Sequence, residues 1–278
     1  MFATAIIIFR EVLEASLIIG ILAAATREIP GSRRWLLAGI LAGLAGAGMV
    51  AASTDAIGAL ADGIGQELFN AIVLGVAVLM LAWHNIWMSS HGAQLAAHAK
   101  TLGSEISDGR SECSALLLIV GIAVLREGSE TVLFLYGIAA SDEGSRSAML
   151  LGGLIGLLGG VAVGYTIYAG LLRLPLRLFF AATGVLVLLL AASMASQAAR
   201  FLIQADLLPS LGGPVWDSSG ILSEQSAMGM LLHSLVGYDS HPAGMQLVFY
   251  IGVLVAIAVA MRWVGRVRPA GIAPKAAV

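Results

Sequence analysis

The sequence is short of charged residues for its length. Of 278 residues, 12% are Asp, Glu, Lys or Arg and 59% are hydrophobic. A soluble domain carries roughly 25% charged residues, so this chain has too little polar surface to remain in solution. Its formal net charge is −2, and no run of Lys and Arg could follow nucleic-acid phosphates. These shortages argue against nucleic-acid binding and indicate a membrane protein.

Other absences argue against an intrachain disulfide, an ATPase and an N-terminal signal peptide. Cys113 is the one cysteine, so no intrachain disulfide can form. No Gly-Lys-Ser or Gly-Lys-Thr loop is present, so the chain itself is not expected to hydrolyse ATP. The apolar N-terminal stretch has no basic leading segment and contains Arg10, Glu11 and Glu14. A signal peptide does not place ionisable groups in its hydrophobic part, so we interpret this stretch as a spanning helix.

Apolar stretches follow one another along the whole chain. A transmembrane helix needs about 20 predominantly apolar residues. Stretches of that length predict seven spans, at about 4–26, 35–54, 66–88, 114–140, 147–172, 176–200 and 246–265. We therefore expect an all-α integral membrane protein in which residues 1–278 form a single transmembrane domain.

Lys and Arg are divided unequally between the two ends of these spans. Of the 15, eleven lie in the 1–2, 3–4 and 5–6 connections and the C-terminal tail. The opposite side has Arg146 and Arg200, and the remaining two lie within spans. Cytoplasmic connections carry the excess of Lys and Arg. The distribution predicts an outer N-terminus, a cytoplasmic C-terminus and an odd number of spans.

The sequence also contains two similar halves. Residues 9–14 (FREVLE) are matched 116 positions later by residues 125–130 (LREGSE). Small residues recur every fourth position in span 2 and, 113 positions later, in span 5: Gly39, Gly43, Ala47, Ala51, Gly152, Gly156, Gly160 and Gly164. Such spacing lets another helix approach closely. Spans 3 and 6 match poorly.

Three spans in each half imply that the second copy is inverted relative to the first. We expect repeat 1 at about 1–100, repeat 2 at about 114–205, an outer segment at 201–245 and the last span at 246–265. Inverted repeats are a transporter architecture, with the substrate site near the membrane midplane where the repeats meet.

Each half carries an Arg-Glu-x-x-Glu motif inside an apolar span. Glu11 and Glu14 share a helix face, and Arg10 lies four positions before Glu14, within reach of its carboxylate. The second motif repeats this spacing with Arg126, Glu127 and Glu130. At the centre of a membrane helix each charge costs roughly 2.5–3.5 kcal/mol. Two internal salt bridges would account for only two of the four glutamates.

The charge of the two motifs points to a bound cation or to protonated carboxylates. Four Glu and two Arg, fully ionised, carry a net charge of −2. With no His or Cys in spans 1 and 4, the carboxylates form an all-oxygen set that suits hard cations. A divalent ion would neutralise the cluster and a trivalent ion would leave one positive charge, so charge alone does not select the oxidation state.

The paired motifs resemble those of the oxidase-dependent, high-affinity iron permease family of fungi and bacteria. Residues 126–135 (REGSETVLFL) are especially similar to that family's second motif, as are residues 232–250, with Gly237, Tyr238 and Pro242 ahead of the last span. The chain lacks the long acidic tail of the fungal members and resembles the compact bacterial ones.

The resemblance implies a seven-span permease of the bacterial inner membrane that imports iron as its substrate and has no tightly bound cofactor. It also implies an extracytoplasmic ferroxidase or iron-delivery protein as partner. It implies that the glutamates of both motifs ligate the metal and that the arginines supply supporting charge: Glu11, Glu14, Glu127 and Glu130, with Arg10 and Arg126.

Other polar residues are weaker candidates. We interpret Trp83, His84 and Trp87 as an interfacial belt at the cytoplasmic end of span 3. His91 and His98 are expected in the cytosolic 3–4 connection as solvated residues, or as receivers of iron. The outer segment is expected to be a solvated loop that could also gather cations; its polar and Met residues are Asp206, Asp217, Glu224, Met228, Met230, His233, Asp239 and His241.

Two other functions remain open from the residues alone. Paired carboxylates on helices also build di-iron oxidase centres, but those sites typically include Glu-x-x-His, and spans 1 and 4 contain no His. A proton-coupled exchanger for another substrate could use the same glutamates as a proton relay.

Overall fold

The described residues form eight α-helices. A computed structural model of the chain describes residues 1–60, 65–109, 112–140, 146–169 and 176–267. The helices are α1 (Phe2–Ala25), α2 (Ser32–Leu60), α3 (Gln66–Ser107), α4 (Ser114–Ala140), α5 (Arg146–Tyr168), α6 (Leu176–Gln204), α7 (Ala227–Val236) and α8 (Gly244–Val267). One isolated bridge pairs Pro214 with Ala243.

Five helices are long and apolar enough to cross a membrane. These segments are Ser32–Ser53, Gln66–Trp87, Ser147–Tyr168, Ala181–Gln204 and Gly244–Val264. Helices α1 and α4 have 24 and 27 residues, but each carries one Arg and two Glu near its middle. The expected all-helical membrane architecture is therefore confirmed, whereas the count of seven spans stays a prediction.

Helix α3 continues well beyond its apolar part. The sequence predicted a span at 66–88 followed by a connection, but the helix runs on to Ser107 over 42 residues, about 63 Å. Its more polar second half, residues 88–107, includes four Ala and two Leu, which are strong helix formers. Near its end, Gly103 lies against Ala25 of α1. Hydropathy therefore located the end of the apolar segment but not the end of the helix.

The glycine stripe of α2 brings that helix into close contact with α4. A β-carbon placed on Gly43 would lie 2.6 Å from Val124 Cβ and 2.8 Å from the Gly121 carbonyl oxygen. Both distances are far shorter than a van der Waals contact, so the α4 backbone occupies the space that a side chain would need. Small residues in a membrane helix permit this approach.

The glycine stripe of α5 makes the equivalent contact with α1. A β-carbon on Gly156 would lie 3.1 Å from Ile8 Cβ and 2.5 Å from the Ala5 carbonyl oxygen. Ala5 and Ile8 lie 116 positions before Gly121 and Val124, and the contacting atoms are of the same kind. In each half, the second helix thus packs on the first helix of the other half.

Two apolar cores lie at different heights along α1, α3 and α4. The first core includes Ile7, Leu74, Leu81, Phe134 and Leu190. The second core includes Ile18, Leu22, Leu36, Ile106, Leu116 and Val120. Along α1 and α4, both Arg-Glu-x-x-Glu motifs fall between residues of the first core and residues of the second. The fold therefore encloses a charged layer between two apolar layers.

Leucine at Gly43 should disrupt the α2–α4 contact, whereas leucine at Gly48 should not. Overpacking costs about 1–3 kcal/mol, and the neighbours of Gly43 include backbone that no rotamer change can move. Gly48 is exposed on the same helix, and a β-carbon there would meet nothing within 4 Å. We expect Gly43→Leu alone to lower the thermal unfolding midpoint of the purified protein in detergent. Equal midpoints for the two variants would contradict this packing.

Candidate metal site

Each motif forms the internal ion pair that its spacing predicts. Arg10 Nε donates to Glu14 Oε1 at 2.9 Å on α1. Arg126 Nε donates to Glu130 Oε1 at 3.0 Å on α4. Because the helical repeat places positions i and i+4 one above the other, this part of the site is determined locally. Each pair uses one oxygen of its glutamate, leaving the second oxygen available to other groups.

The first glutamate of each motif lies buried in the charged layer. Glu11 of α1 is 2% exposed and Glu127 of α4 is 4% exposed, and each has a carboxylate oxygen within 4.8 Å of one on the other. Neither has an arginine of its own at the i,i+4 spacing. The two motifs therefore meet through their first glutamates, while their second glutamates are held by the arginines.

His84 of α3 joins the two motifs. Its Nε2 lies 3.7 Å from Glu14 Oε2 and 4.0 Å from Glu11 Oε2. Its Nδ1 makes an ion pair with Glu130. The imidazole therefore reaches carboxylates of α1 and of α4 with its two nitrogens.

The interpretation of His84 as part of an interfacial belt was wrong. Its side chain is 2% exposed, so it lies in the interior. Helix α3 also continues for more than 20 residues beyond it, so His84 is not at the end of the helix. Trp83 is 73% exposed, as a belt residue would be. Trp87 contacts the motif instead, with the Arg126 guanidinium carbon 4.1 Å from the centroid of its ring.

Four residues could hold one metal ion together. Glu11, His84, Glu127 and Glu130 each offer a ligand atom, and these atoms lie within 4.8 Å of one another. Ligands at about 2.1 Å from a common ion lie about 3–4 Å apart, so an ion would draw this group slightly inward. Glu14, expected among the ligands, lies beside this group, with its Oε2 3.7 Å from His84 Nε2, and its role as a ligand stays a prediction.

Several polar atoms in the layer are buried without a hydrogen bond. Within the described part of the chain, Glu11 Oε2, Glu14 Oε2, Glu127 Oε2 and His84 Nε2 have no hydrogen-bond partner. Leaving a buried acceptor unsatisfied costs about 1–3 kcal/mol, and more for a charged group. A cation would satisfy several of these acceptors at once, so the donor set fits a metal ion. His84 brings imidazole nitrogen to the same group, so the polar atoms gathered here are not oxygen alone.

The two motifs share the Arg-Glu-x-x-Glu pattern but have unequal surroundings. The side chains of Arg10 and Glu14 are 3% and 1% exposed, whereas those of Arg126 and Glu130 are 31% and 16% exposed. The first motif is therefore enclosed, and the second lies at the edge of the layer. Helix α3 contributes His84 to the ligand group, whereas no described residue of α6, its counterpart in the second half, belongs to the group.

The polar residues of the outer segment mostly hold that segment together. Glu224 accepts hydrogen bonds from the Ser240 amide at 2.6 Å and from its hydroxyl at 2.7 Å. The amide bond above all holds the pKa of the Glu224 carboxyl below its usual range. Asp217 and His241 form an exposed ion pair of 3.0 Å. None of these residues belongs to the ligand group.

Two histidines of α3 complete the sequence candidates. His98 is exposed on the helix, which agrees with a solvated residue, and the side chain of His91 lies outside the described residues. His84 is the residue of the candidate site that sequence reasoning missed. An ionisable side chain inside an apolar span indicates a functional site by default, and that signal was present between two tryptophans that suggested an interface.

Comparison with known proteins identifies the family of the chain. The model of the iron permease FTR1 family matches residues 1–267. Proteins named ferrous iron permease EfeU are similar. That of Escherichia coli O6:H1 is 32% identical over 259 residues, which is 87% of this chain and 88% of the relative. That of Shigella sonnei is 31% identical over 94% of this chain and 97% of the relative. That of Yersinia pestis is 31% identical over 92% and 91%.

No solved structure matches the chain. The family and the five apolar segments together make the protein a multi-pass protein of the bacterial membrane. The family's members are permeases, which favours transport of iron over the oxidase and the exchanger that the residues alone left open. With a match that extends over nearly its whole length, the chain belongs to the iron permease FTR1 family and is a transporter of iron rather than an enzyme.

Proposed function

We propose that the protein imports iron as Fe²⁺ by binding it between the Arg-Glu-x-x-Glu motifs of α1 and α4. The observation that carries this proposal is the convergence of carboxylates from both motifs in one buried group with unsatisfied oxygen atoms. The divalent state is supported by the names of the relatives, which are ferrous iron permeases. A divalent ion would also neutralise a cluster of four Glu and two Arg.

The glutamates and arginines have different roles in this proposal. Glu11, Glu127 and Glu130 bind the ion directly, and Glu14 contributes the oxygen that Arg10 leaves unpaired. The arginines orient the second glutamate of each motif and offset part of the negative charge.

The proposed architecture is seven spans with the N-terminus outside and the C-terminus in the cytoplasm. The Lys and Arg distribution supports the orientation, and the equivalent contacts of Gly43 and Gly156 support two related halves. Two copies of three spans each, repeat 1 at about 1–100 and repeat 2 at about 114–205, have to be inverted relative to one another.

Transport in this proposal alternates between two apolar barriers. The charged layer lies between the first and second cores, so an ion that reaches it has one core on either side. Opening the cores one at a time would admit iron from outside and release it inside without a continuous pore. Transporters with repeats related by inversion use such a midplane site.

Of the two partners that the resemblance implies, an extracytoplasmic iron-delivery protein is proposed as the donor of iron, because a ferroxidase would supply Fe³⁺ rather than the Fe²⁺ proposed here. The segment between α6 and α8 would face it, since it exposes the Asp217–His241 pair and large apolar side chains such as Ile221 and Met228.

The topology can be tested with C-terminal reporter fusions. The eleven-to-two distribution of Lys and Arg predicts that a fluorescent protein, which folds in the cytoplasm, is active at the C-terminus. An alkaline phosphatase, which needs the oxidising exterior, should be inactive there. Activity of the phosphatase fusion would overturn both the orientation and the inverted repeat.

Neutralising the site glutamates should abolish or severely reduce iron uptake. Glu11→Gln, Glu14→Gln, Glu127→Gln and Glu130→Gln keep the side-chain shape but remove an anionic ligand, so we expect uptake of Fe²⁺ by proteoliposomes to fall at least tenfold. Glu67→Gln is the matched control, since Glu67 is exposed at the start of α3. Normal transport by all four site variants would refute the site.

The arginines should be less critical than the glutamates. Arg10→Lys and Arg126→Lys keep the charge but lose the planar fork that binds a carboxylate, so partial loss of uptake is expected. The loss should be larger for Arg10→Lys, since Arg10 is enclosed and Arg126 is partly exposed. Equal and complete loss in both would assign the arginines a direct part in binding.

Metal and protons should compete for the cluster. Metal ligands have to be deprotonated, and a buried layer with excess negative charge will retain protons until a cation replaces them. We expect Fe²⁺ affinity to fall as the pH drops below neutrality, with about one to two protons released per ion. Calorimetry in buffers of different ionisation enthalpy measures that number. Zero protons with a flat affinity from pH 5 to 8 would exclude proton coupling through these residues.

A further inference from the structure

The geometry points to His84 as a nitrogen ligand of the transported ion, and to this nitrogen as the group that selects Fe²⁺ over Mg²⁺ and Ca²⁺. The inference rests on the proposed function, because it requires the ion to bind between the two motifs. It adds to that function a residue outside both motifs and a physical basis for choosing among divalent ions.

The imidazole of His84 is oriented as a metal ligand would be. Metal-binding histidines generally donate the N–H of one ring nitrogen to a carboxylate or carbonyl, which leaves the other nitrogen for the ion. Here Nδ1 pairs with Glu130. Neither ring nitrogen makes a regular hydrogen bond within the described residues, and Nε2 faces Glu11 and Glu14 at 4.0 Å and 3.7 Å. Glu130 therefore orients the ring as well as lining the site.

The ring is also held in place by its surroundings. It meets Phe134 edge-on, with the ring centroids 6.4 Å apart. The next residue, Asn85, donates a hydrogen bond of 2.9 Å to the Gly184 carbonyl and ties α3 to α6 at this height. A ligand held by packing and by a second layer of hydrogen bonds binds without losing further freedom.

The composition of the ligand group determines which ions it favours. Mg²⁺ and Ca²⁺ prefer oxygen ligands alone. Imidazole suits transition metals such as iron, so a group of carboxylates with one imidazole favours Fe²⁺ over the alkaline-earth ions. In bacterial surroundings where Mg²⁺ and Ca²⁺ are abundant, carboxylates alone would discriminate poorly. The imidazole nitrogen of His84 is the ligand that favours Fe²⁺ over these two ions.

A structural role for His84 makes a different prediction. If the imidazole only offsets negative charge, it pairs with the glutamates in the empty site and stays away from the ion. Removing it would then alter the affinity for all divalent ions in parallel. A ligand role instead changes the ratio between Fe²⁺ and Ca²⁺, so selectivity separates the two roles more sharply than affinity does.

The test compares His84→Gln with His98→Gln in the purified full-length protein. His98 is exposed on the same helix, so it is a matched control for the substitution. Affinities for Fe²⁺, under anaerobic conditions, and for Ca²⁺ are measured by calorimetry. We expect the ratio of Fe²⁺ to Ca²⁺ affinity to fall at least tenfold in His84→Gln and to stay unchanged in His98→Gln. An unchanged ratio in a folded His84→Gln protein would overturn the inference.

A spectroscopic measurement on the unmodified protein decides the question even if the variant does not fold. Nitric oxide converts bound Fe²⁺ into a paramagnetic adduct, and electron spin echo spectroscopy detects imidazole nitrogen bonded to it. We expect this nitrogen signal in the unmodified protein and in His98→Gln. Bound iron without the signal would overturn the ligand role.

Glu127→Gln distinguishes failure of this inference from failure of the proposed site. If Fe²⁺ binding is unaffected by Glu127→Gln, the ion lies elsewhere, and both proposals fall. If Glu127→Gln weakens binding but the nitrogen signal is absent, the site between the motifs stands and only the role of His84 is overturned.

Discussion

The structure depends on placing excess negative charge inside a membrane protein. Four glutamates and two arginines lie in one layer with an apolar core on either side. Most of these groups are buried, and an isolated buried charge is very costly. The arginines and His84 offset part of this cost, but they leave carboxylate oxygens unsatisfied. Protons or a cation would satisfy these oxygens, which is the physical basis of the proposed metal site.

Close helix packing makes such a layer possible. Glycines of α2 and α5 let two helix pairs approach until backbone meets backbone, through the contacts of Gly43 and Gly156. The main-chain polar groups are satisfied within each helix, so close approach leaves no polar backbone exposed to lipid. Wider spacing would admit water or lipid beside the charged groups and would separate the carboxylates of α1 from those of α4.

The third helix breaks the symmetry that the repeats would otherwise impose. The two motifs have matching internal ion pairs, yet the first is enclosed and the second is partly exposed. The difference arises where α3 brings His84 and Trp87 to the cluster, while no described residue of α6 belongs to the ligand group. Two related halves therefore surround one cluster whose two sides are not equivalent.

The sequence by itself determined the membrane class, the i,i+4 ion pairs and the faces of α2 and α5 that pack closely. Each of these follows from composition or from helical periodicity, which acts over a few neighbouring residues. The tertiary structure alone decided that α3 continues past Trp87, that His84 lies between the motifs and that Glu14 stands beside the ligand group. Those features depend on how helices distant in sequence pack together, and hydropathy carries no information about which side chains then meet.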